Sequence, residues 1–314
     1  MENYNYIRLN ANNFDFTKTL AKESFKLKLT ISSIKKKYDT TIFGLKNIGY
    51  FALDKDQKPA AYYGVFPIIM SFDSKDILVA QSGDTMTAPA HQGKGLFIML
   101  AKKTYQLAEE EGVQLVYGFP NKNSLPGFQK KLGWQFRGSM YKFTIKNPVL
   151  PVCEFCSKSD VLSSLYDKYS RFRLAKFSVA LSEVILETFN KNKTRGYIKK
   201  DIRFYEYKLR RADIYLISFN SFTLLVKSKV HLIIGDVGFF DKDKTSDFIE
   251  SIKDLAQILR CGKTTIIISK NHWLYEYLVP HIQPTESLPI GYFQINLDIP
   301  LEDISFSQAD YDTF

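Results

Sequence analysis

The 314-residue sequence predicts an α/β (α+β) protein of two consecutive domains, each a mixed central sheet flanked by helices. Three observations carry that prediction. Residues 76–119 read as strand, glycine-bearing turn, amphipathic helix and strand; an apolar hairpin precedes them; and the same order returns in the second half. The chain is long enough to bury two sizeable cores without metals or disulfides.

Taking the elements in order, Phe16–Tyr38 places Leu20, Phe25, Leu27, Leu29, Ile31 and Ile34 at helical spacing, which predicts one or two helices. Gly49–Leu53 and Ala60–Met70 bracket the polar turn Asp54–Lys58 and read as a β-hairpin, with Asp76–Thr87 as a third antiparallel strand. From Lys94 to Glu111, Phe97, Leu100, Ala101, Thr104, Leu107 and Ala108 fall on one helix face. Val113–Phe119 is almost wholly apolar, as a strand covered on both sides must be. Pro148 and Pro151 suggest a linker, dividing the chain into residues 1–150 and 151–314. In the second half, Asp213–Phe219, Phe222–Val226 and His231–Asp236 read as strands, Lys244–Leu259 as a helix and Thr264–Ser269 as a final strand, followed by Asn271. Where the first half has Gln-Gly-Lys-Gly, the second has Asp241-Lys242-Asp243-Lys244, whose carboxylates repel a pyrophosphate. The second copy therefore reads as degenerate.

Hydrophobic residues at 45% and charged residues at 24% are ordinary globular values and exclude a disordered chain. A net charge of +10 favours polyanionic partners without naming one. Lys35-Lys36-Lys37 reads as a solvated helix face, so nucleic acid is not expected as a partner. Cys153, Cys156 and Cys261 form no disulfide framework, and Cys153-Glu-Phe-Cys156 is half a zinc site without its other half, so no metal is expected. The start MENYNYIRLN lacks the features of a signal peptide, and no stretch reaches the about 18 apolar residues of a membrane span. A soluble, cytoplasmic protein is the expectation, its oligomeric state left open.

The chemistry centres on Gln92-Gly93-Lys94-Gly95-Leu96, set between an apolar strand and a helix, where backbone N–H groups and the helix N-terminus can jointly receive an anion. This turn, with the strands around it, Asn123 and the closing Leu132-Gly133-Trp134, resembles the acyl-CoA-binding core of the GNAT acyltransferase superfamily. The superfamily signature is Gln or Arg, two residues, Gly, one residue, then Gly or Ala. Gln92 and Gly95 match it, whereas Phe97 departs and is expected to narrow the turn.

The resemblance implies acyl-CoA as donor and no metal. It assigns the diphosphate to Gln92, Gly93, Lys94, Gly95, Leu96 and Phe97, and the pantetheine arm to a gap between splayed strands, gripped by Thr85, Met86, Thr87 and Asn123. Backbone donors near Met86 would hold the oxyanion, and Asp84 would be the general base, a turn-capping Asp being the alternative. The general-acid Tyr of the superfamily falls at Gln129, so the thiolate leaves unaided or the acid comes from elsewhere, with Tyr105 and Tyr117 as candidates. Asn121, Asn123 and Ser124, after the second strand, can hydrogen-bond either the pantetheine amides or the acceptor, with Asn121 the candidate for the acceptor. Arg203, Tyr205 and Tyr207 would stack an acceptor base and pair its diphosphate, against the alternative of an ordinary amphipathic element. His91 either pairs with CoA or is simply exposed.

The stretches Tyr-Tyr-Gly-Val-Phe-Pro from Tyr62, Asp-Thr-Met-Thr from Asp84, Tyr-Gly-Phe-Pro-Asn from Tyr117 and Pro-Gly-Phe from Pro126 look like a subgroup associated with bacterial surface polysaccharides such as lipopolysaccharide O-antigen. That resemblance implies transfer of an acetyl or 3-hydroxybutanoyl group to the amine of a nucleotide-linked amino sugar, for instance a dTDP-linked 3-amino-3,6-dideoxyhexose. Two other readings stand beside it: an aminoacyl-tRNA-dependent transferase of peptidoglycan bridges, for which the positive charge would serve tRNA, and a non-catalytic acyl-CoA-binding regulator.

Overall fold

The computed structural model describes residues 4–190 and 194–314; the first three residues of the N-terminal stretch lie outside them. The chain divides into two compact units, Met1–Arg137 with Pro289–Glu302, and Gly138–Leu288 with Asp303–Phe314. The division falls ahead of the Pro148–Pro151 boundary expected from sequence, and each unit takes in a segment from far along the chain.

In the first unit, β1 (Asn5–Arg8) leads to two helices, α1 (Phe14–Phe25) and α2 (Ile31–Tyr38). They are two because Lys26 turns left-handed (φ 60°) after α1, and Thr30 with Ser33 opens α2 through a capping box. The hairpin follows as β2 (Ile48–Leu53) and β3 (Pro59–Phe72), then β4 (Lys75–Thr87), α3 (Leu96–Glu110), β5 (Leu115–Gly118) and α4 (Leu125–Lys131). Strands β1 to β4 are antiparallel neighbours, and β5 runs parallel to β4. On its other edge β5 pairs with the returning segment Gly291–Gln294.

Alternation along β3 sends successive side chains to opposite faces. Tyr63 goes to the core beneath α3, with Leu100, Ala101, Tyr105, Val116 and Trp134. Tyr62 goes to the core beneath α1 and α2, with Leu20, Ile34, Tyr38, Phe51 and Phe66. Each large side chain fully buried in these layers contributes on the order of 2 kcal/mol, which is what holds two short helices and one long one against the sheet.

The chain continues with β6 (Gln135–Lys146), α5 (Val152–Cys156), α6 (Asp160–Ala175), β7 (Gly196–Ile198) and α7 (Ile202–Leu209). Then come β8 (Ile214–Phe219), β9 (Phe222–Ser228), β10 (Leu232–Val237), α8 (Thr245–Ile258) and β11 (Lys263–Ser269). α9 (Trp273–Leu278), β12 (Thr285–Gln294) and β13 (Ile304–Ser305) complete it. Within the second unit β8, β9 and β10 are antiparallel, β11 is parallel to β10, and Met140–Lys146 of β6 pairs antiparallel with β11. The five elements expected in this half are all present. So is the repeat of order: an antiparallel meander, a helix, and a strand returning parallel to the last.

Candidate functional site

The glycine turn of the first unit is built as its composition requires. Gly93 and Gly95 stand at φ 77° and 76°, a left-handed conformation that only glycine adopts without strain, and Gly95 is the N-cap of α3. Both are solvent-exposed, and a Cβ at either would meet nothing within 4 Å. The amides that open the 15-residue α3 have no acceptor in the preceding turn of helix, so they add to the anion-attracting end of the helix dipole. Lys94 is exposed in the same turn, and Gln92 reaches back to the Thr87 carbonyl (3.4 Å). Leu96 is buried, so its backbone alone is offered to a ligand.

The Phe97 ring does not crowd the turn. It is directed between α3 and α4, 5.0 Å from the Phe128 ring and 5.8 Å from Tyr63, and Gly127 makes the room: a Cβ there would lie 2.5 Å from the ring. Beyond β5, Asn121 accepts from the amides of Asn123 (3.0 Å) and Ser124 (3.1 Å), an Asx turn leading into α4. Asn121 and Asn123 are both exposed.

Strands β4 and β5 pair at only three positions, Val79↔Leu115, Ala80↔Val116 and Gln81↔Tyr117. Past Gln81 the ladder stops while β4 runs on to Thr87, so that edge of β4 is no longer paired by β5. On its other edge β4 carries a bulge: Tyr62 pairs with Met86 and Gly64 with Gly83, leaving Asp84 and Thr85 opposite Tyr63 alone. Asp84 is left-handed there (φ 49°), a conformation costing an L-residue about 1 kcal/mol. The offset is local. Its carboxylate accepts from the Lys37 ammonium (2.7 Å) and the Tyr38 hydroxyl (2.7 Å), and about a fifth of the side chain remains exposed. Burial, then the Asp84 charge, pushes the Tyr38 hydroxyl well above the usual tyrosine range, so it stays a donor. The Asp84 carboxylate is thus already held by two donors.

Sequence reasoning missed Lys37 and Tyr38. In sequence Lys37 belongs to a run that reads as a solvated face; the only local signal is that Ile34 and Tyr38, one helical turn apart, mark a buried stripe beside it. It also missed a buried chain of hydroxyls on the α3 face: Ser82 Oγ to Tyr63 Oη (2.7 Å), Tyr63 Oη to Tyr105 Oη (2.8 Å), and Trp134 Nε1 donating to Tyr105 Oη (2.9 Å). Tyr117, the other tyrosine considered, is fully buried on β5.

The second unit repeats this geometry and closes it. β10 and β11 also pair at three positions, and β10 is also bulged, between Ile234 and Asp236. Here the C-terminal tail fills the gap. The Ser269 amide donates to the Phe306 carbonyl (2.9 Å), the Phe306 amide to Ser269 Oγ (2.9 Å) and Ser307 Oγ to Asp236 (3.0 Å), while the Phe314 ring leaves no room for a Cβ on Gly235. Buried Lys200 ties the tail's Asp310 to Asp236 (3.4 Å to the latter), and burial lowers its ammonium to about 8. The charged stretch from Asp241 to Lys244 is one short turn leading into α8. Degeneracy here is thus an occupied gap as well as a changed turn.

The expectation for Arg203, Tyr205 and Tyr207 is corrected. They lie on α7, where Tyr205 has no exposed surface and Tyr207 is buried, so neither ring can stack an incoming base. Arg203 is engaged with Asp201 (2.9 Å), the residue that caps the helix. His91 is held between the Tyr4 hydroxyl (2.9 Å) and Asp54 (3.9 Å). Among the described residues no group of His, Cys, Asp and Glu could hold a metal ion, and no helix is long and apolar enough to cross a membrane.

Residues 5–137 match the family model described as "Acetyltransferase (GNAT) domain", a match that covers less than half of the chain. No curated protein matches the sequence. Among solved structures, a GCN5-related N-acetyltransferase from Kribbella flavida superposes with TM-score 0.61 at 11% identity, over 94% of this chain and 72% of that one. Saccharomyces cerevisiae N-myristoyltransferase with bound myristoyl-CoA gives 0.61 at 10% identity, over 94% and 83%. The glucosamine N-acetyltransferase region of a fungal multi-domain β-N-acetylglucosaminidase gives 0.56 at 11% identity, over 93% of this chain and 38% of that one. At these identities the likeness is one of fold, and the fold is the mixed α/β fold of GNAT proteins.

Proposed function

We propose that the GNAT acetyltransferase domain carried by residues 5–137 makes this chain an acyl-CoA-dependent N-acyltransferase, and that its acceptor is the amine of a nucleotide-linked amino sugar. One observation supports the donor above all: a left-handed Gly93/Gly95 turn opens α3 directly beside two strands that part after three pairs. The turn's amides and Lys94 suit a diphosphate. The edge of β4 from Thr85 to Thr87 suits the two amides of a pantetheine arm, and Asn123 stands in the loop just past β5.

Attack by the acceptor amine on the thioester carbonyl builds negative charge on the carbonyl oxygen, to which backbone N–H groups around the bulge near Met86 would donate. Asp84 holds the neutral amine by accepting an N–H hydrogen bond and stabilises the positive charge that grows on nitrogen during attack, and Lys37 and Tyr38 fix the carboxylate. Asn121 offers its side-chain N–H to the acceptor from the turn that precedes α4. The amino-sugar reading rests on the four sequence stretches given above, and it is supported by the likeness in fold to a region described as a glucosamine N-acetyltransferase. Acetyl and 3-hydroxybutanoyl groups are the donors proposed, with surface-polysaccharide synthesis as the setting.

The test is calorimetry with CoA, followed by a mass assay of acyl transfer from acetyl-CoA and 3-hydroxybutanoyl-CoA to a panel of amino-sugar nucleotides. Binding with transfer to a member of the panel is the expected result. Failure to bind CoA at saturation overturns the reading and favours the aminoacyl-tRNA-dependent alternative. Binding without turnover favours the regulator.

A further inference from the structure

We propose that Ser82 is the group that protonates the departing CoA sulfur, in place of the tyrosine that Gln129 lacks. The proposal rests on the acyl-transfer reading above. Ser82 is the first residue of β4 beyond the last pair with β5, so it stands where the gap opens. It is only half-buried, unlike the chain of groups behind it. Gly118 ends β5 opposite it, and a Cβ on Gly118 would lie 3.2 Å from the Ser82 Cβ and 3.3 Å from the Trp134 ring. That glycine keeps the space before the hydroxyl clear.

The direction of the hydroxyl chain follows from its far end. An indole N–H only donates, so Trp134 occupies a lone pair of Tyr105 and leaves the Tyr105 hydrogen to be given onward. Running Trp134 to Tyr105 to Tyr63 to Ser82 gives every buried hydrogen an acceptor within the protein; the reverse direction leaves the Tyr105 hydrogen without one. The Ser82 hydrogen is then the one that points out of the chain, towards the gap. Tyr63 and Tyr105 are both raised above the usual tyrosine range by burial, so the chain carries a proton without resting as a phenolate.

The step balances as follows. The amine nitrogen forms its bond to the carbonyl carbon, the C–S bond breaks with its electron pair on sulfur, and the amine's surplus proton passes to water. Sulfur takes the Ser82 proton, Ser82 takes that of Tyr63, and Tyr63 takes that of Tyr105. Once the thiol has left, water entering the gap returns a proton through the half-buried Ser82, and the chain regains its starting direction. The net change is thioester and amine to amide and thiol.

Thiol release from acetyl-CoA, with an amine panel or water as acceptor, tests this in wild type, Ser82→Ala, Ser82→Thr and Tyr105→Phe, alongside CoA affinity by calorimetry. Ser82→Ala is expected to lower kcat about 100-fold at unchanged CoA affinity and to abolish the solvent deuterium isotope effect on kcat. Ser82→Thr is expected to restore both, and Tyr105→Phe to give an intermediate loss. A Ser82→Ala protein with wild-type kcat, or one that loses CoA affinity in step with kcat while keeping the isotope effect, overturns the proposal and leaves the acyl-transfer reading intact. A wild-type protein that binds CoA but releases no thiol overturns both.

Discussion

The contact between Phe97 and Gly127 can be broken from either side, and the two perturbations oppose each other. A Cβ placed on Gly127 lies 2.5 Å from Cε1 and 3.2 Å from Cδ1 of the Phe97 ring, so ring or helix must yield by about 1 Å to regain an ordinary carbon contact. The ring's movement is restricted on one side by its packing on Phe128 and Tyr63. Gly127→Ala is therefore expected to cost about 1–3 kcal/mol as an overpacking change, less the few tenths gained from helix propensity. Since Phe97 sits in the first turn of α3, the displaced ring also moves the amides offered to a diphosphate, and CoA affinity is expected to fall about tenfold, or about 1.4 kcal/mol. Phe97→Ala alone removes a half-buried ring and costs about 2 kcal/mol. The double variant restores a small residue at the signature position and removes the clash, so the coupling is expected to be favourable by about 1–2 kcal/mol. Urea denaturation of the four proteins measures the cycle, and calorimetry with CoA reads the site. Additive losses, or a Gly127→Ala protein as stable and as tight for CoA as wild type, would refute the reasoning.

His272 is buried and held near 4, chiefly by desolvation, against an ordinary value near 6.5. The unfolded chain therefore takes up a proton that the folded chain refuses, and stability is lost as pH falls from about 6.5 to about 4, by up to about 3 kcal/mol from this group. His272→Asn keeps a side-chain acceptor for the Leu274 amide and is expected to flatten that part of the pH profile of urea denaturation; an unchanged slope counts against it. Asp84→Asn is expected to leave CoA affinity unchanged and to lower kcat/KM for the amine by 10-fold or more, because the carboxylate that would accept from the attacking amine and stabilise its developing charge is gone; parallel loss of CoA binding in calorimetry would place Asp84 in donor binding instead. Phe314→Ala, at a ring 2% exposed, is expected to cost about 3 kcal/mol in denaturation, and a loss below about 1 kcal/mol would show that the tail does not pack in the gap.

How far the site was legible depends on the range of each contact. The hairpin, β4, α3 and β5 were readable because period-two and period-3.6 patterns sit within single elements, and the structure shifts their ends by only a residue or two. Gly93 and Gly95 were readable because a left-handed turn needs glycine wherever it lies. The helix α7 was half-readable: Phe204, Tyr205, Tyr207 and Lys208 have the spacing of a buried helical face, which was the alternative to a stacking role and is what the structure contains. Lys37 and Tyr38 lie 47 and 46 residues from the carboxylate they hold, and no local pattern marks such a pair. The same is true of Phe97 with Gly127, whose departure from the family pattern makes sense only when its compensating glycine is seen.

By itself the sequence determined two α/β units, the glycine turn that opens α3, and the resemblance from which a thioester donor is proposed. These are properties of short stretches, set by side-chain periodicity and by the backbone freedom of glycine. Only the tertiary structure decided that 289–302 belongs with the first unit, that the C-terminal tail fills the second unit's gap, that Asp84 is already held by two donors, and that a line of hydroxyls ends at Ser82. Each of these depends on which distant segments pack together, and packing is selected by the free energy of the whole chain and not by any window of it.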